Sequence, residues 1–234
     1  MNPDTKRGVV RWLVREVIGG ATFVGLALFL PAGTLNWPMG WALIGVYLTW
    51  TAATALLVIP RCPELLIERM SRRKDAKGWD VALMSVIGLL TLARYIVAGL
   101  DLRNEWTHGL WEMPLALQIG ALVVTVLGYV LTTWAMAVNA YFSKIVRIQD
   151  DRGHSVATDG PYQYVRHPGY LGTLAFELGT PIMLGSLWAL ILGVVSAALF
   201  VVRTAIEDRT LQEELEGYAA YAQQVRYRLI PGVW

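Results

Sequence analysis

The sequence has few of the residues that build disulfides, metal sites and charged soluble surfaces. It contains one cysteine and three histidines, and only 16% of its 234 residues are charged. The single cysteine, Cys62, excludes an internal disulfide, and no metal-ligand spacing surrounds it. The net charge of +2 is too small to indicate nucleic-acid binding. We therefore predict neither a metal site nor a nucleic-acid partner.

Two further sequence patterns are missing. No glycine-rich fingerprint follows a strand, which argues against the usual soluble nucleotide-binding fold. The first apolar run is long and no small-residue cleavage pattern ends it, so we do not expect a cleavable signal peptide.

The chain has instead long stretches without a charged residue. Asp, Glu, Lys, Arg and His are absent from residues 17–60, 113–143 and 178–202. A membrane crossing needs about 20 apolar residues. The first stretch is long enough for two crossings, separated by a turn at Pro31–Pro38. These features predict an all-α, polytopic membrane helix bundle.

Six crossings account for the apolar stretches, and they divide the chain into two parts. The N-terminal part, 1–140, holds four crossings and the charged loop 61–80, and the C-terminal part, 141–234, holds the remaining two. We predict helices over about 12–31, 38–60, 80–100, 114–140, 169–185 and 187–206, the last continuing as an amphipathic polar helix to about 226.

The lysines and arginines orient the predicted bundle. Eighteen of the twenty fall in segments on one side, against Arg103 alone on the other, with Arg94 inside the third helix. Because positive residues mark the cytosolic side, both termini are predicted to lie in the cytosol. The membrane would be the inner or plasma membrane of a prokaryote, or the endoplasmic reticulum of a eukaryote.

The segment Val165–Thr173, with the sequence VRHPGYLGT, places unusual residues where a polar loop enters an apolar helix. His167 precedes a proline and is biased away from helix, so Pro168 can be the first helical residue. The unpaired N–H groups and positive dipole end of that helix then lie beside Arg166, which favours an anion. An ordinary helix start with a snorkelling arginine is the alternative.

Glu177 lies about two turns inside the same apolar helix, on the face of Tyr170. An intramembrane carboxylate normally faces the bundle interior and marks a function. A structural pairing with another polar helix residue is the alternative. Gly169, Gly172 and Gly179 would let another backbone or a ligand approach closely.

A second polar group, formed by Arg203, Glu207 and Asp208, stands where the last apolar stretch ends. If the fifth and sixth helices form a hairpin, this group faces Arg166 and His167 at the same membrane level. Such a pocket of mixed sign suits a zwitterionic, nucleotide-like ligand, with tyrosines to stack on a ring or lie near a sulfonium. S-adenosylmethionine has all of these parts, and the spacing alone fits another cytosolic anion equally well.

Taken together, these motifs resemble the isoprenylcysteine carboxyl methyltransferase family. Asp208 stands where the family has a second glutamate, and Gly217 directly precedes Tyr218 where the family has two intervening residues. A weaker resemblance covers PELLIER, residues 63–69. The matching elements, within about residues 139–231, are GPYQYVRHPGYLG at 160–172, then Glu207-Asp208, Leu211, the Tyr218–Tyr221 pair and Pro231.

The resemblance implies a membrane methyltransferase whose cytosolic pocket binds S-adenosylmethionine and whose lipid side admits a lipophilic acceptor. That acceptor is a prenylcysteine carboxylate, a phospholipid amine or a small thiol. Arg203 or Arg166 would orient a carboxylate, whereas an amine or thiol needs a proton acceptor, for which Glu177, Glu207 and His167 are candidates. The candidate catalytic residues are Arg203, Glu177 and Glu207, and the candidate cofactor-binding residues are Tyr162, Arg166, His167, Pro168, Tyr170, Gly172, Glu207 and Asp208.

Two other functions stay open at this point. Membrane sterol and ene reductases have a similar C-terminal helical arrangement and use NADPH, and Arg72, Arg73 and Lys74 would supply a phosphate-binding cluster. A non-catalytic transporter or scaffold is the other alternative, although the chain has no internal repeat and its polar groups gather at one interface. No helix shows a clear dimer seam, so the oligomeric state is left open.

Overall fold

The computed structural model describes residues 3–70 and 76–234, and within these ranges the chain is helical with no strand. Arg72, Arg73 and Lys74, which the sequence offers as a phosphate-binding cluster, lie outside the described residues. The elements are α1 Pro3–Val14, a π-helical segment Arg15–Gly20, α2 Ala21–Ala32, α3 Pro38–Val58, α4 Pro63–Glu68, α5 Gly78–Asn104, α6 Leu115–Val138, two 3-10 turns at Asp150–Arg152 and Gly160–Gln163, α7 Pro168–Met183, α8 Leu187–Glu214 and α9 Tyr218–Gln224.

Five helical stretches of the described chain are long and apolar enough to cross a membrane, and they confirm the all-α membrane fold. Leucines on their outer faces are strongly exposed, among them Leu30, Leu56 and Leu89, as expected for side chains that face lipid. The six-crossing count and the cytosolic termini stay predictions. The five stretches are Pro3–Ala32, Pro38–Val58, Gly78–Asn104, Leu115–Val138 and Leu187–Glu214.

Helix α7 corresponds to the predicted crossing 169–185, but it has only 16 residues. A full crossing needs about 20 residues, so α7 is shorter than a standard span, and Pro181 lies inside it. It packs along α6 on one side and against α8 on the other. The predicted hairpin of the fifth and sixth helices is therefore present as α7 and α8, and α6 packs against α7 as a third partner.

Three other predicted boundaries are wrong. The first helical stretch begins at Pro3 rather than near residue 12, because α1 continues through the π-helical segment into α2. The loop 61–80 contains a short helix, α4. The polar helix expected to reach about residue 226 stops at Glu214, because Leu215 leaves the helix in an extended conformation, and Gly217, at φ 82°, then precedes α9.

The helix starts follow local chemistry. Pro38, Pro63 and Pro168 each occupy the first position of a helix, where the missing N–H costs nothing. The predicted turn between the first two crossings is confirmed, because Gly33 adopts φ 67° and ends α2. The Ser186 side chain accepts a hydrogen bond from the Ala189 N–H and caps α8.

Gly172 allows α6 and α7 to touch along their backbones. A Cβ at Gly172 would collide with the Gly128 carbonyl oxygen and the Thr132 hydroxyl of α6. A Cβ at Gly128 would lie 2.5 Å from the Gly172 carbonyl oxygen. The two positions therefore need glycine for close helix packing, and Gly172 serves the contact between helices.

Candidate active site

The start of α7 is tied to the C-terminal segment of the chain. The N–H groups of Arg166 and His167 donate to the carbonyl oxygens of Tyr227 and Arg228, each at 2.9 Å. Inside α7, the Tyr170 and Leu171 N–H groups point to the His167 carbonyl at 3.1 and 3.2 Å. The segment after α9 therefore covers the helix start that the sequence predicts to be open for an anion.

Asp208 joins the two polar groups that the sequence places on facing helices. Its side chain is 0% exposed and accepts hydrogen bonds from Arg166 Nε at 2.7 Å, Arg228 Nε at 2.8 Å and the Tyr218 hydroxyl at 3.0 Å. His167 Nε2 lies 3.2 Å from the same carboxylate. We call these five residues the Asp208 cluster. The predicted hairpin brings Arg166 and His167 to Asp208, and α9 and the segment after it add Tyr218 and Arg228.

Arg166 has little capacity left for a ligand. Besides Nε, its Nη2 donates to Asp208 at 3.0 Å, and its Nη1 donates to the carbonyl oxygens of Val225 and Arg226, both at 2.8 Å. Burial alone would lower the pKa of Arg166, but the hydrogen bond to the Asp208 carboxylate raises it above its usual value. The guanidinium is a fixed cation that fastens the C-terminal segment.

Arg203 is held in the same way by another element. Its Nε lies 2.6 Å from Asp80 Oδ1, its Nη2 lies 3.2 Å from Oδ2, and Nη2 also donates to the Lys144 carbonyl at 2.9 Å. Asp80, at the start of α5, accepts the Val146 N–H at 2.7 Å. The Arg203–Asp80 pair therefore anchors the segment 141–157 against α5 and α8.

Glu207 and Tyr170 form the polar contact that faces the space between α7 and α8. The Tyr170 hydroxyl donates to Glu207 Oε2. The Tyr170 ring stacks near the His167 ring with centroids 5.7 Å apart, and the Arg203 guanidinium lies 5.1 Å from its centroid. Tyr170 thus connects the start of α7 to an acidic and a basic residue of α8, Glu207 and Arg203.

These residues border a cavity of about 410 Å³, within the range of small-molecule sites. Six predicted site residues line it. Four others, Pro168, Gly172, Glu177 and Asp208, lie behind the lining, where they start a helix, pack helices or hold neighbouring side chains. The predicted residues that line the cavity are Tyr162, Arg166, His167, Tyr170, Arg203 and Glu207.

One end of the cavity is aromatic and close to the C-terminal segment. The Tyr162 hydroxyl accepts from Asn139 Nδ2 at 3.0 Å, and the Tyr221 hydroxyl donates to the Tyr162 carbonyl at 2.7 Å. Leu215 and Tyr218 pack in the same buried apolar cluster. This end presents rings and aliphatic surface of the kind that holds a flat heterocycle.

The other end of the cavity reaches the membrane-facing surface. Trp50, Tyr129 and Phe176 follow one another with centroid separations of 5.1 and 4.9 Å, the latter pair stacked. Trp50 and Tyr129 also line an apolar groove of about 650 Å³ between α3 and α6. The cavity and the groove are therefore neighbours with two shared side chains.

Sequence reasoning missed the residues that the segment 141–157 and α4 bring to the cavity. Lys144, His154 and Arg69 all line it. Burial lowers the pKa of His154 to about 4, so its imidazole is neutral at physiological pH. The lysine and arginine were visible in the sequence, but they were interpreted only as markers of membrane orientation.

Glu177 is paired inside the bundle, as the structural alternative predicts. Its carboxylate receives Arg94 Nη1 at 2.5 Å and Nη2 at 3.3 Å, and its carbonyl receives Nη1 at 3.0 Å. Both side chains are almost fully buried between α5 and α7. The structure therefore does not bring Glu177 to the cavity.

Comparison with known proteins agrees with the motifs. Residues 121–213 match the model of the Isoprenylcysteine carboxyl methyltransferase (ICMT) family. The chain is 29% identical to Protein-S-isoprenylcysteine O-methyltransferase B of Arabidopsis thaliana over 62% of this chain and 70% of the relative. It is 41% identical to the Schizosaccharomyces pombe enzyme over 30% of each chain, and 33% identical to the Homo sapiens enzyme over 47% of this chain and 39% of that one.

The fold is similar to a solved structure of the eukaryotic intramembrane Ras methyltransferase ICMT. The TM-score is 0.54 at 22% identity, over 90% of this chain and 74% of that chain. The matched segment 121–213 runs from α6 to the end of α8, which are the helices that build the cavity. The resemblance stated from the motifs is confirmed, and it supports a membrane methyltransferase.

Proposed function

We propose that this protein transfers a methyl group from S-adenosylmethionine to the carboxylate of an isoprenylcysteine at the membrane. The observation that carries the proposal is the shape of the site. A polar, aromatic cavity next to the C-terminal segment shares Trp50 and Tyr129 with an apolar groove between two membrane-spanning helices. A water-soluble donor and a lipophilic acceptor need such a pair of neighbouring sites.

The aromatic end fits the donor. Tyr162 and Tyr218 offer ring faces for the adenine, and Glu207 offers a carboxylate that accepts a hydrogen bond from Tyr170. That carboxylate suits an ammonium group or ribose hydroxyls, and nearby rings suit a sulfonium. When bound, S-adenosylmethionine supplies a methyl group on positively charged sulfur. We propose that Tyr162, His167, Tyr170 and Glu207 hold it.

In this proposal the other predicted cofactor residues do not contact the donor, and they position the residues that do. Asp208 positions Arg166 and His167, and Pro168 and Gly172 set the start and packing of α7. Arg203 holds the segment 141–157 through Asp80. These contacts fix the cavity before any ligand enters, and fixed geometry is the main requirement of methyl transfer.

The acceptor carboxylate needs no general base, because it is already ionised at neutral pH. Its prenyl chain would lie in the groove between α3 and α6, whose lining includes Val46, Val126 and Val130. The named relatives are isoprenylcysteine O-methyltransferases, which favours this acceptor over an amine or a thiol. Glu177, paired with Arg94, takes no part in the proposed chemistry.

The reductase and the non-catalytic alternatives are less well supported. The relatives that match are methyltransferases. We also propose that the cavity faces the cytosol, since its loops carry the positive residues.

A binding and activity assay on purified protein in lipid nanodiscs tests the proposal. We expect S-adenosylhomocysteine to bind by calorimetry and NADPH not to bind. We expect labelled methyl groups to appear as a base-labile ester on an N-acetylated S-prenylcysteine. His167→Ala and Glu207→Ala should weaken S-adenosylhomocysteine binding while the exposed control Arg209→Ala leaves it unchanged. Binding of NADPH alone, or transfer only to an amine or thiol, would overturn the proposal.

A further inference from the structure

Five cationic side chains line the cavity, and three of them are paired with buried carboxylates. Arg166 binds Asp208, Arg203 binds Asp80, and Arg147 lies 3.1 Å from Glu68 and 2.8 Å from Asp151. Each of these guanidiniums is fully engaged in holding the fold. The remaining two cations, Arg69 and Lys144, are different, and we call them the cationic pair.

Among the residues that the structure describes, Arg69 has no carboxylate within 4.0 Å. Its Nη1 donates to the Phe142 carbonyl at 3.1 Å, and its guanidinium lies 5.4 Å from the centre of the Phe142 ring. Lys144 Nζ lies 3.8 Å from Glu16 Oε1, beyond hydrogen-bond distance. The cationic pair therefore brings two positive charges to the cavity with one distant carboxylate between them.

The surroundings make this arrangement costly in the absence of an anion. Burial lowers the pKa of Arg69 to about 10, and burial followed by the charge of Arg69 lowers the pKa of Lys144 to about 8. Two cations that disfavour each other in a partly desolvated cavity gain most from an added anion. The geometry supplies room for it, since both side chains face the 410 Å³ space.

The cationic pair lies between the two ends of the cavity. Phe142, under the Arg69 guanidinium, packs against the apolar cluster that includes Trp50 and also against the cluster around Tyr162, and Trp50 lines the groove between α3 and α6. The Lys144 carbonyl accepts from Arg203, whose guanidinium lies over Tyr170. An anion between Arg69 and Lys144 would therefore sit beside Tyr170 and next to the groove.

We propose that Arg69 and Lys144 form the subsite that binds the acceptor's carboxylate, an inference that rests on the proposed function. Arg203 and Arg166, the cations first expected to orient this group, are already bound by Asp80 and Asp208. In the transfer, a carboxylate oxygen forms a bond to the methyl carbon while the carbon–sulfur bond breaks and its electron pair stays on sulfur. No proton moves. The product ester is neutral, so it loses its attraction to the cationic pair, which favours product release.

The donor also carries a carboxylate, and the experiment separates the two sources. Binding to protein in nanodiscs is measured for an N-acetylated S-prenylcysteine and for its uncharged carboxamide, and separately for S-adenosylhomocysteine. The wild-type protein should prefer the free acid to the carboxamide. Arg69→Gln and Lys144→Met should each weaken acid binding about tenfold to a hundredfold, as expected for a lost charge-assisted hydrogen bond, with carboxamide and S-adenosylhomocysteine affinities unchanged.

Conservative and surface variants complete the test. Arg69→Lys and Lys144→Arg should restore most of the preference for the acid, whereas a purely structural role would not follow charge in this way. Arg209→Gln, at an exposed i,i+4 pair, is the charge-matched control and should behave as wild type. Lys144→Met keeps the test informative if Arg69→Gln does not fold.

Three outcomes decide against the inference. An unchanged preference for the acid in both charge-removing variants overturns it. Weakened S-adenosylhomocysteine binding with an intact preference for the acid assigns the cationic pair to the donor instead and also overturns it. The wild-type protein could also bind S-adenosylhomocysteine but neither bind nor methylate the prenylcysteine. That result would overturn the proposed function itself, and it would be known before any variant is made.

Discussion

The Asp208 cluster and the cationic pair border the same cavity, but their charges are arranged in opposite ways. Around Asp208, two arginines and a histidine share one buried carboxylate. Around Arg69 and Lys144, the carboxylate contact is that of Lys144 with Glu16, at 3.8 Å. From this comparison we expect a cation of the cavity to bind a ligand where the fold provides no close carboxylate for it.

The difference has an energetic basis. Removing one partner of a buried ion pair costs about 3–5 kcal/mol, because the other charge is left in a poorly solvated site. Residues of the Asp208 cluster should therefore control stability first and binding second. Residues of the cationic pair should control binding with a smaller effect on stability, since Arg69 donates to a backbone carbonyl and Lys144 has only the 3.8 Å contact with Glu16.

The largest expected effect is that of Asp208→Ala. This change leaves Arg166 and Arg228 without their carboxylate and frees the C-terminal segment that Arg166 holds at Val225 and Arg226. We expect the free energy of unfolding to fall by about 3–5 kcal/mol. Denaturant unfolding in detergent measures the loss, and limited proteolysis should cut after α9 in the variant alone.

The matched control for that change is Glu213→Ala, which removes a carboxylate from an exposed pair with Arg209 on the same helix. It should cost less than about 1 kcal/mol. Equal stability of the Asp208→Ala variant and the control would show that the cluster does not hold the C-terminal segment.

Glu177→Gln should come next, because it leaves Arg94 charged among the spanning helices. We expect a loss of about 3 kcal/mol or slightly more. The double change Arg94→Met with Glu177→Met should recover much of it, since apolar residues of similar volume remove both charges. Calorimetry on the folded fraction should show unchanged S-adenosylhomocysteine affinity. If the Glu177→Gln variant kept full stability but bound S-adenosylhomocysteine more weakly, Glu177 would have to be assigned to the binding site.

The sequence was informative wherever a feature is local. The lengths of the apolar runs predicted the spanning helices. Gly33 and its neighbours predicted the first turn, and Pro168 predicted the start of α7. Hydropathy together with the hairpin assumption also placed Asp208 opposite Arg166. Each of these depends on residues close in the chain or on a single helix–helix contact.

What the sequence could not provide are the pairings across long separations. Arg94 and Glu177 lie 83 positions apart, and Arg203 and Asp80 lie 123 apart. Periodicity carries no signal for such contacts, so the arginines already compensated by the fold could not be distinguished from the open ones. For the same reason Arg69 and Lys144 were interpreted as orientation charges, although they line the cavity.

Glu207→Gln separates donor binding from stability. Glu207 is partly exposed and receives the Tyr170 hydroxyl, which can donate equally well to an amide oxygen. We expect S-adenosylhomocysteine affinity to fall about tenfold, because a charge-assisted contact becomes neutral, while the midpoint of denaturant unfolding stays close to wild type. A Glu207→Gln protein that binds S-adenosylhomocysteine normally would assign the donor's polar contacts to other residues.

The smallest expected effect is a pH dependence carried by Lys144. Its folded pKa of about 8 lies below the ordinary lysine value of 10.5, owing first to burial and then to Arg69, with Glu16 acting in the opposite direction and Arg15 in the same one. Acid binding should therefore weaken as pH rises from 7 to 9 and Lys144 loses its proton. Stability should change the other way. Between about pH 8 and 10.5 the unfolded chain keeps a proton that the folded chain has released, so folding becomes more favourable as pH rises.

Lys144→Met is expected to remove both the pH dependence of acid binding and that of stability. The exposed control Arg209→Gln should remove neither. The measurement is the affinity for the free acid at several pH values, set beside denaturant midpoints at the same pH. A single deprotonation that weakens ligand binding while it stabilises the fold is the behaviour expected of Lys144 in this site. An affinity that is flat from pH 7 to 9 in the wild-type protein would mean that the ligand's charge is held by Arg69 alone.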